Sequence, residues 1–272
     1  MAKAGKAILQ SQKKLSVLEL VHYSIPEQGI CRVEINNPPL NILTQNVRQE
    51  LGDIFTRLNG DDAVRVVIFG SAQRAFSAGA DLKEFPLRFD PAVARAHGEN
   101  AQRMILALTS LRKPVIAAIH GNCMGGGLEL ALGCGFRFVS LTARFALPEI
   151  KRGVWPGTGG IFLLERLLGP ARARRLLLTG NTISSEEALR IGLVDEAVSP
   201  ETLDEHVMKF ARELANRPPS SVNAISALLD NHFLQTFRTH LQYELELFVQ
   251  AYQLTAAREG NLAFFDKREP RW

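Results

Sequence analysis

Residues 119–135 read IHGNCMGGGLELALGCG. Three consecutive glycines, Gly125, Gly126 and Gly127, follow the apolar run PVIAAI and open a segment of strong helix formers. Glycine lets other backbone or a ligand approach closely, and the free N–H groups of a helix start form an anion site. Tight packing of helix on strand is the competing use of the same three residues. Glu129 is the second oddity. Leu128, Leu130, Ala131 and Leu132 surround it, so the segment has no polar face, the mark of a buried helix. A buried carboxylate without a partner is costly. The plainer reading is an exposed first-turn acid favoured by the helix dipole.

Strands and helices alternate around this stretch, the pattern of an α/β fold. ICRVEIN (residues 30–36) alternates Cys31, Val33 and Ile35 against Ile30, Arg32 and Glu34, as a half-buried strand does. From Thr44, the residues Val47, Leu51, Ile54, Phe55 and Leu58 recur at helical spacing until Asn59-Gly60. VRVVIFG (64–70) reads as a second strand. RKPVIAAIHG (112–121) reads as a third, apolar enough to be covered on both faces. FRFVSLTARFALPEI (136–150) reads as a strand pair. After about Glu201 the strands stop. The stretches 203–217, 220–233 and 239–260 read as three helices, the first two parted by Pro218-Pro219. They form either a helical subdomain or an oligomer interface. The organisation expected is a solvated tail over 1–16, a core over 17–200 and a helical region over 201–272.

Composition excludes several functions. The chain has 272 residues, 46% hydrophobic and 22% charged, ordinary for a soluble domain. No apolar run approaches the ~18 residues of a membrane span. The net charge of +4 comes from scattered residues, without the spacing of a nucleic-acid-binding module, and suits a phosphorylated small ligand. Cys31, Cys123 and Cys134 make no CxxC pair and read as reduced thiols of a cytoplasmic protein. There is no P-loop, GxSxG elbow or HExxH helix. The six histidines are scattered, so no metal site is expected.

Two further stretches complete the pattern. FSAGADLKE (76–84) also follows a strand, and Asp81 and Glu84 have capping-box spacing for a helix beginning near Leu82. Capping, not catalysis, is the role read for Asp81. The small residues Ala78, Gly79 and Ala80 then form a strand-to-helix turn. Two such turns from adjacent strands aim one N–H each at a common point, the geometry of an oxyanion hole. In FALPEIKRGVWPGTGG (145–160), Glu149 sits between an apolar strand and a glycine-rich turn. Alone it reads as a loop acid; with Glu129 it makes an acid/base pair.

AFSAGADLKEF, IAAIHGNCMGGGLELALGC and FALPEIKRGVWPGTGG, in this order and spacing, resemble the three signature blocks of the crotonase superfamily of enoyl-CoA hydratases and isomerases. The resemblance implies a spiral of repeated ββα units with a C-terminal helical trimerisation region, a homotrimer or a dimer of trimers. It implies hydration of a 2-enoyl-CoA, with no cofactor beyond the coenzyme A of the substrate. The N–H groups of Ala80 and Gly126 would hold the thioester oxygen. Glu129 would be the base towards a shared water, and Glu149 would supply the proton to Cα. NPPLN and AGADLK match segments that cradle the CoA, which assigns Pro39, Leu40, Ala78, Gly79, Asp81, Leu82 and Lys83 to it, with Gly125 beside them. LAFFDKREP (262–270) resembles the family's ending, so Phe264 and Lys267 would reach a neighbouring chain's CoA. Trp155 stands where a smaller aliphatic residue is usual; it narrows or stacks against the acyl pocket. Phe85, Phe89 and Trp155 suit either an unusual acyl group or the core. Gly135 replaces the family's usual aspartate, a local change without loss of chemistry. Isomerisation, hydration of a cyclic acyl-CoA, and CoA binding without turnover are the other readings; retention of both acids disfavours the last.

Overall fold

The alternation in ICRVEI becomes β2 (Ile30–Ile35) in a computed structural model that describes residues 20–272; the tail expected over 1–16 lies outside the described residues. β1 (Val21–Glu27) pairs antiparallel with β2. β4 (Val66–Ser71), β6 (Val115–Ile119), β8 (Phe136–Ser140) and β11 (Glu196–Val198) then follow in parallel, giving a six-stranded sheet in the order 1-2-4-6-8-11. A parallel sheet must be covered on both faces, and this one is. Val67, Phe69 and Ala117 point into the main core beneath α1 (Gln45–Asn59) and α2 (Pro91–Thr109). Val66, Ile68 and Ile116 point the other way, against Leu203, Val207 and Ala211 of α7 (Leu203–Ala215). Thr44 caps α1 by accepting the Val47 N–H, as its position before the apolar stripe implies.

Between main-sheet strand and helix the chain inserts a short strand into a second layer. β3 (Ile42–Leu43) pairs with β5 (Gly79–Ala80), Ser77 bridges to Cys123, and β7 (Asn122–Met124) pairs with β9 (Arg144–Ala146), which pairs with β10 (Ile183–Ser184). The units β2-β3-α1, β4-β5-α2 and β6-β7-α3 (Gly126–Leu132) therefore stack as turns of a spiral. The stretch 136–150 corrects the expectation of a strand pair. β8 and β9 are consecutive but belong to different layers, each pairing with the equivalent strand of the preceding turn. α4 (Gly160–Leu168), α5 (Pro170–Thr179) and α6 (Ser185–Ile191) close the last turn.

The C-terminal region also departs from its expected form. Residues 220–233 and most of 239–260 belong to one helix, α8 (Pro219–Ala251), with Pro219 at its first position. The break falls at residues 252–254, before α9 (Thr255–Phe265). The C-terminal half of α8 lies on α2, where Gln102 donates to the Leu241 carbonyl at 2.7 Å and Arg95 pairs with Glu246. α9 folds back over residues 148–152, so that Gly153 and Gly260 lie directly against the opposing backbone. Among the described residues no helix is long and apolar enough to cross a membrane.

Phe69 holds the two layers together. It is fully buried between Phe55 of α1 and Phe76 of the β4–β5 connection, edge-on to both, with ring centroids at 5.5 and 5.4 Å. Phe69→Ala should cost ~3–5 kcal/mol in denaturant unfolding, because neither rigid neighbour can fill the void. A cost under about 1 kcal/mol would mean this interface is not the main packing seam.

Candidate active site

The glycines at 125–127 serve packing and approach together. Gly127 lies so near Ser77 that an added Cβ would sit 2.7 Å from the serine Cβ, which locks α3 onto the second layer. Gly125 takes φ +52°, in the left-handed region, and a Cβ there would meet Glu149 Oε1 at 2.8 Å. Gly79 also has a positive φ (+88°), and a Cβ on it would lie 2.9 Å from the Met124 carbonyl and 3.4 Å from the Gly126 nitrogen. The turns 79–80 and 125–126 thus touch. Gly125 donates its own N–H to the Ala146 carbonyl at 2.9 Å. The Gly126 N–H opens α3, where a helix has no acceptor of its own.

Both acids lie on the same cavity, of about 470 Å³. Glu129 is 3% exposed. Its burial is made tolerable by the glycine-rich turn, whose Thr158 and Gly160 N–H groups donate to Oε1 at 2.8 and 3.0 Å. A side chain at Gly160 would occupy the place of this carboxylate, 2.7 Å from its Cγ. Glu149 projects from a 3₁₀ turn, Pro148–Arg152, and its buried Oε2 has no hydrogen-bond partner among the described residues. Burial raises both carboxyls above the ordinary range. For Glu129 the charges of Glu149 and Glu244 push further, against the two N–H donors; for Glu149 its own backbone N–H and Arg152 oppose the rise.

Ala78, Gly79, Ala80, Asp81, Leu82, Lys83, Gly125, Gly126, Leu40 and Trp155 all line this cavity, as expected for one site. Pro39 does not; it borders a separate cleft on the far side of Leu40, towards Arg74 and His120. Phe264 lines this chain's own cavity, because α9 folds back over Pro148–Arg152 and puts the Phe264 ring 4.1 Å from the Arg152 guanidinium. Lys267 faces an adjoining cleft with Lys151, Arg268 and Trp272. Asp81 caps through the Lys83 N–H at 2.9 Å, but the segment it starts, Leu82–Phe89, is 3₁₀. Glu84 does not complete the capping box; it points inward to Arg88 and His97. Phe85 is buried and Trp155 half-buried, both on the cavity wall, whereas Phe89 packs behind Phe85. Gly135 is exposed at the α3–β8 turn, and Asp195 supplies a carboxylate there by accepting the Arg137 N–H at 2.7 Å.

Several lining residues escaped the sequence reading. Arg48, Arg88 and His97 are each buried on the cavity wall, joined by Tyr252 from the end of α8. Arg48 donates to His97 Nε2 at 2.7 Å and to the Leu43 carbonyl; Arg88 donates to the Tyr252 hydroxyl at 2.9 Å. Burial and the two guanidiniums hold the His97 pKa down at about 2, so its ring is neutral. Arg48 carried one signal, since 48, 51, 55 and 58 share the apolar stripe of α1. Glu244 is a third buried carboxylate: its Oε1 accepts the Gly159 N–H at 2.9 Å, so the turn at 158–160 hangs between Glu129 and α8. Among the described residues no cluster could hold a metal ion.

Because folding raises the Glu149 pKa above its ordinary value of 4.5, ionisation opposes the fold. That penalty is absent below about pH 4.5 and grows as pH rises through the folded-state value. Glu149→Gln should therefore melt a few degrees above the parent near pH 8, with the gap closing near pH 4, read by thermal unfolding across pH. A gap that widens on acidification would contradict the assigned shift.

A family model described as enoyl-CoA hydratase/isomerase matches residues 26–272. The chain is 34% identical over 247 residues to a probable enoyl-CoA hydratase of Bacillus subtilis (strain 168), covering 90% of this chain and 96% of that protein. It is 35% identical over 245 residues to a crotonyl-CoA hydratase of Syntrophomonas wolfei, covering 89% and 94%. Among solved structures, an enoyl-CoA hydratase from Mycobacterium avium subsp. paratuberculosis K-10 superposes with a TM-score of 0.83 at 27% identity, over 93% of this chain and 98% of that one.

Proposed function

The chain belongs to the enoyl-CoA hydratase/isomerase family, and we propose that it is an enoyl-CoA hydratase, adding water across the double bond of a 2-enoyl-CoA. The observation that carries this reading is the pair Glu129 and Glu149, brought to one cavity on either side of the Gly125-Gly126 turn. Moving a double bond needs one carboxyl to shuttle a proton between carbons. Adding water needs a base for the water and an acid for Cα.

The thioester oxygen lies between the N–H groups of Ala80 and Gly126. Glu129 in its ionised form, with Oε1 accepting the Thr158 and Gly160 N–H groups, takes a proton from the water, and the oxygen attacks Cβ. The electron pair moves through Cα onto the thioester oxygen, and the two N–H groups stabilise the enolate, with ~3–4 kcal/mol lost per missing donor. Glu149, whose protonated form is favoured by burial, delivers its proton to Cα on the same face. Proton return from Glu129 to Glu149 through the next water resets the pair. The CoA runs past Leu40, Ala78, Gly79 and the Asp81–Lys83 turn, and the pocket beyond Trp155 receives the acyl chain. No cofactor is needed beyond the coenzyme A of the substrate.

Purified protein should bleach the enoyl-thioester absorbance of crotonyl-CoA or a longer 2-enoyl-CoA. Glu129→Gln and Glu149→Gln should each lower kcat by ~10²-fold or more. Wild-type hydration by both variants would refute the assignment. Incubation with a 3-enoyl-CoA separates isomerisation, which keeps the mass, from hydration, which adds water.

For assembly, the reading is a cytoplasmic homotrimer or dimer of trimers, with residues 17–200 as spiral core and 201–272 as the assembling region. It is supported by exposed Ile225, Leu228 and Leu229 on the N-terminal half of α8. Light scattering on the eluted protein should give three or six times the 30.1 kDa chain mass; a monomer would exclude this arrangement.

A further inference from the structure

Successive amides of the glycine-rich turn point in alternate directions. The Thr158 and Gly160 N–H groups donate to Glu129 Oε1 at 2.8 and 3.0 Å, whereas the Gly159 N–H between them donates to Glu244 Oε1 at 2.9 Å. Each N–H lies in its own rigid peptide plane, and the plane that carries the Gly159 N–H stands between the other two. Gly159 takes φ +81°, in the left-handed region, where glycine turns freely unless it is held. The holding surface is α8. A Cβ on Gly159 would lie 2.5 Å from Phe237 Cζ, and one on Gly157 would lie 2.4 Å from Phe248 Cδ2. Phe237, Leu241, Glu244 and Phe248 recur at helical spacing along α8, and all four are buried. Glu244 is the one acid in that apolar row, and it is 3% exposed.

Packing alone does not call for an acid here. A leucine or methionine at 244 would continue the apolar row, and a buried carboxyl is costly. Its Oε2 has no hydrogen-bond partner among the described residues; His240 Nε2, one helical turn earlier, stands 3.4 Å away. Among the described residues the bond from the Gly159 N–H is therefore the one hydrogen bond this carboxyl makes. Resting on the hydratase reading, we infer that Glu244 is a positioning residue: by fixing the middle peptide plane of the turn it keeps the Thr158 and Gly160 N–H groups aimed at Glu129. Without that acceptor, rotation about Gly159 swings the Gly160 N–H away from Oε1, and the base loses its aim at the water. Glu244 itself touches neither substrate nor water.

The test follows hydration of crotonyl-CoA by the wild-type protein, Glu244→Met and Glu244→Gln. Methionine keeps the bulk and loses the acceptor; glutamine keeps an acceptor for the Gly159 N–H. Each protein is read at its own optimum pH. Glu244→Met should lower kcat about tenfold or more while KM stays within about twofold, and Glu244→Gln should keep kcat within about threefold of wild type. Wild-type kcat in Glu244→Met, a loss carried by KM alone, or an equal loss in Glu244→Gln overturns the inference and leaves hydration standing. If Glu244→Met does not fold, Glu244→Asp decides: it draws the acceptor back by one methylene and should lower kcat by about threefold or more at unchanged KM, and an unaltered kcat overturns the inference. If the wild type hydrates no 2-enoyl-CoA, the hydratase reading fails, and hydrogen exchange decides the positioning. The Thr158 and Gly160 amides should then exchange about tenfold or more faster in Glu244→Met, or in Glu244→Asp in its place, than in Glu244→Gln and wild type; equal exchange overturns it.

Discussion

The hydrogen bonds from the Thr158 and Gly160 N–H groups to Glu129 Oε1 are the constraint around which the site is arranged. A carboxylate on an apolar helix, 3% exposed, survives in the fold only with donors supplied. The donors come from a turn that needs glycine at 160, where a side chain would take the carboxylate's place. That turn is held from its other side by Glu244, so α8 shares in fixing Glu129 although it lies far along the chain. The spiral supplies the rest. Its second layer brings residues 79–80 against 125–126, and α9 folds over the turn that bears Glu149.

The two acids share their burial and differ in their donors. Both carboxyls are raised by desolvation, and one negative charge shared between them is cheaper than two. The donors at Oε1 favour the charged form of Glu129, against burial and the charges of Glu149 and Glu244, which leave its pKa raised to about 8. Glu149 Oε2 has no hydrogen-bond partner among the described residues, and burial raises this carboxyl to about 7 against its own backbone N–H and Arg152.

Much of this was legible beforehand, for physical reasons. Apolar periodicity marked β2, β4, β6 and α1, and Thr44 marked the start of α1, because those signals are local. The apolar ring around Glu129 announced its burial. What escaped depends on contacts distant in sequence. β8 and β9 looked like partners because adjacency in sequence usually means pairing, whereas each extends the ladder of the preceding turn. Residues 234–238 contain no glycine or proline, so nothing local divided α8. Its true end, at Tyr252, is set by burial against Phe85, Phe248 and Arg88. Glu244 resembled any acid of an amphipathic helix, and Arg88 any base of a surface turn, until the fold buried them.

The central claim is that burial raises both carboxyls of the Glu129–Glu149 pair, so that the pair holds a proton well above the ordinary carboxylate range. Carbon-13 NMR of protein labelled at the glutamate side-chain carboxyls, with Glu129→Gln and Glu149→Gln for assignment, measures this directly. The account predicts that near pH 6 at least one of the two gives a protonated carboxyl signal. Two ionised signals at that pH would contradict it.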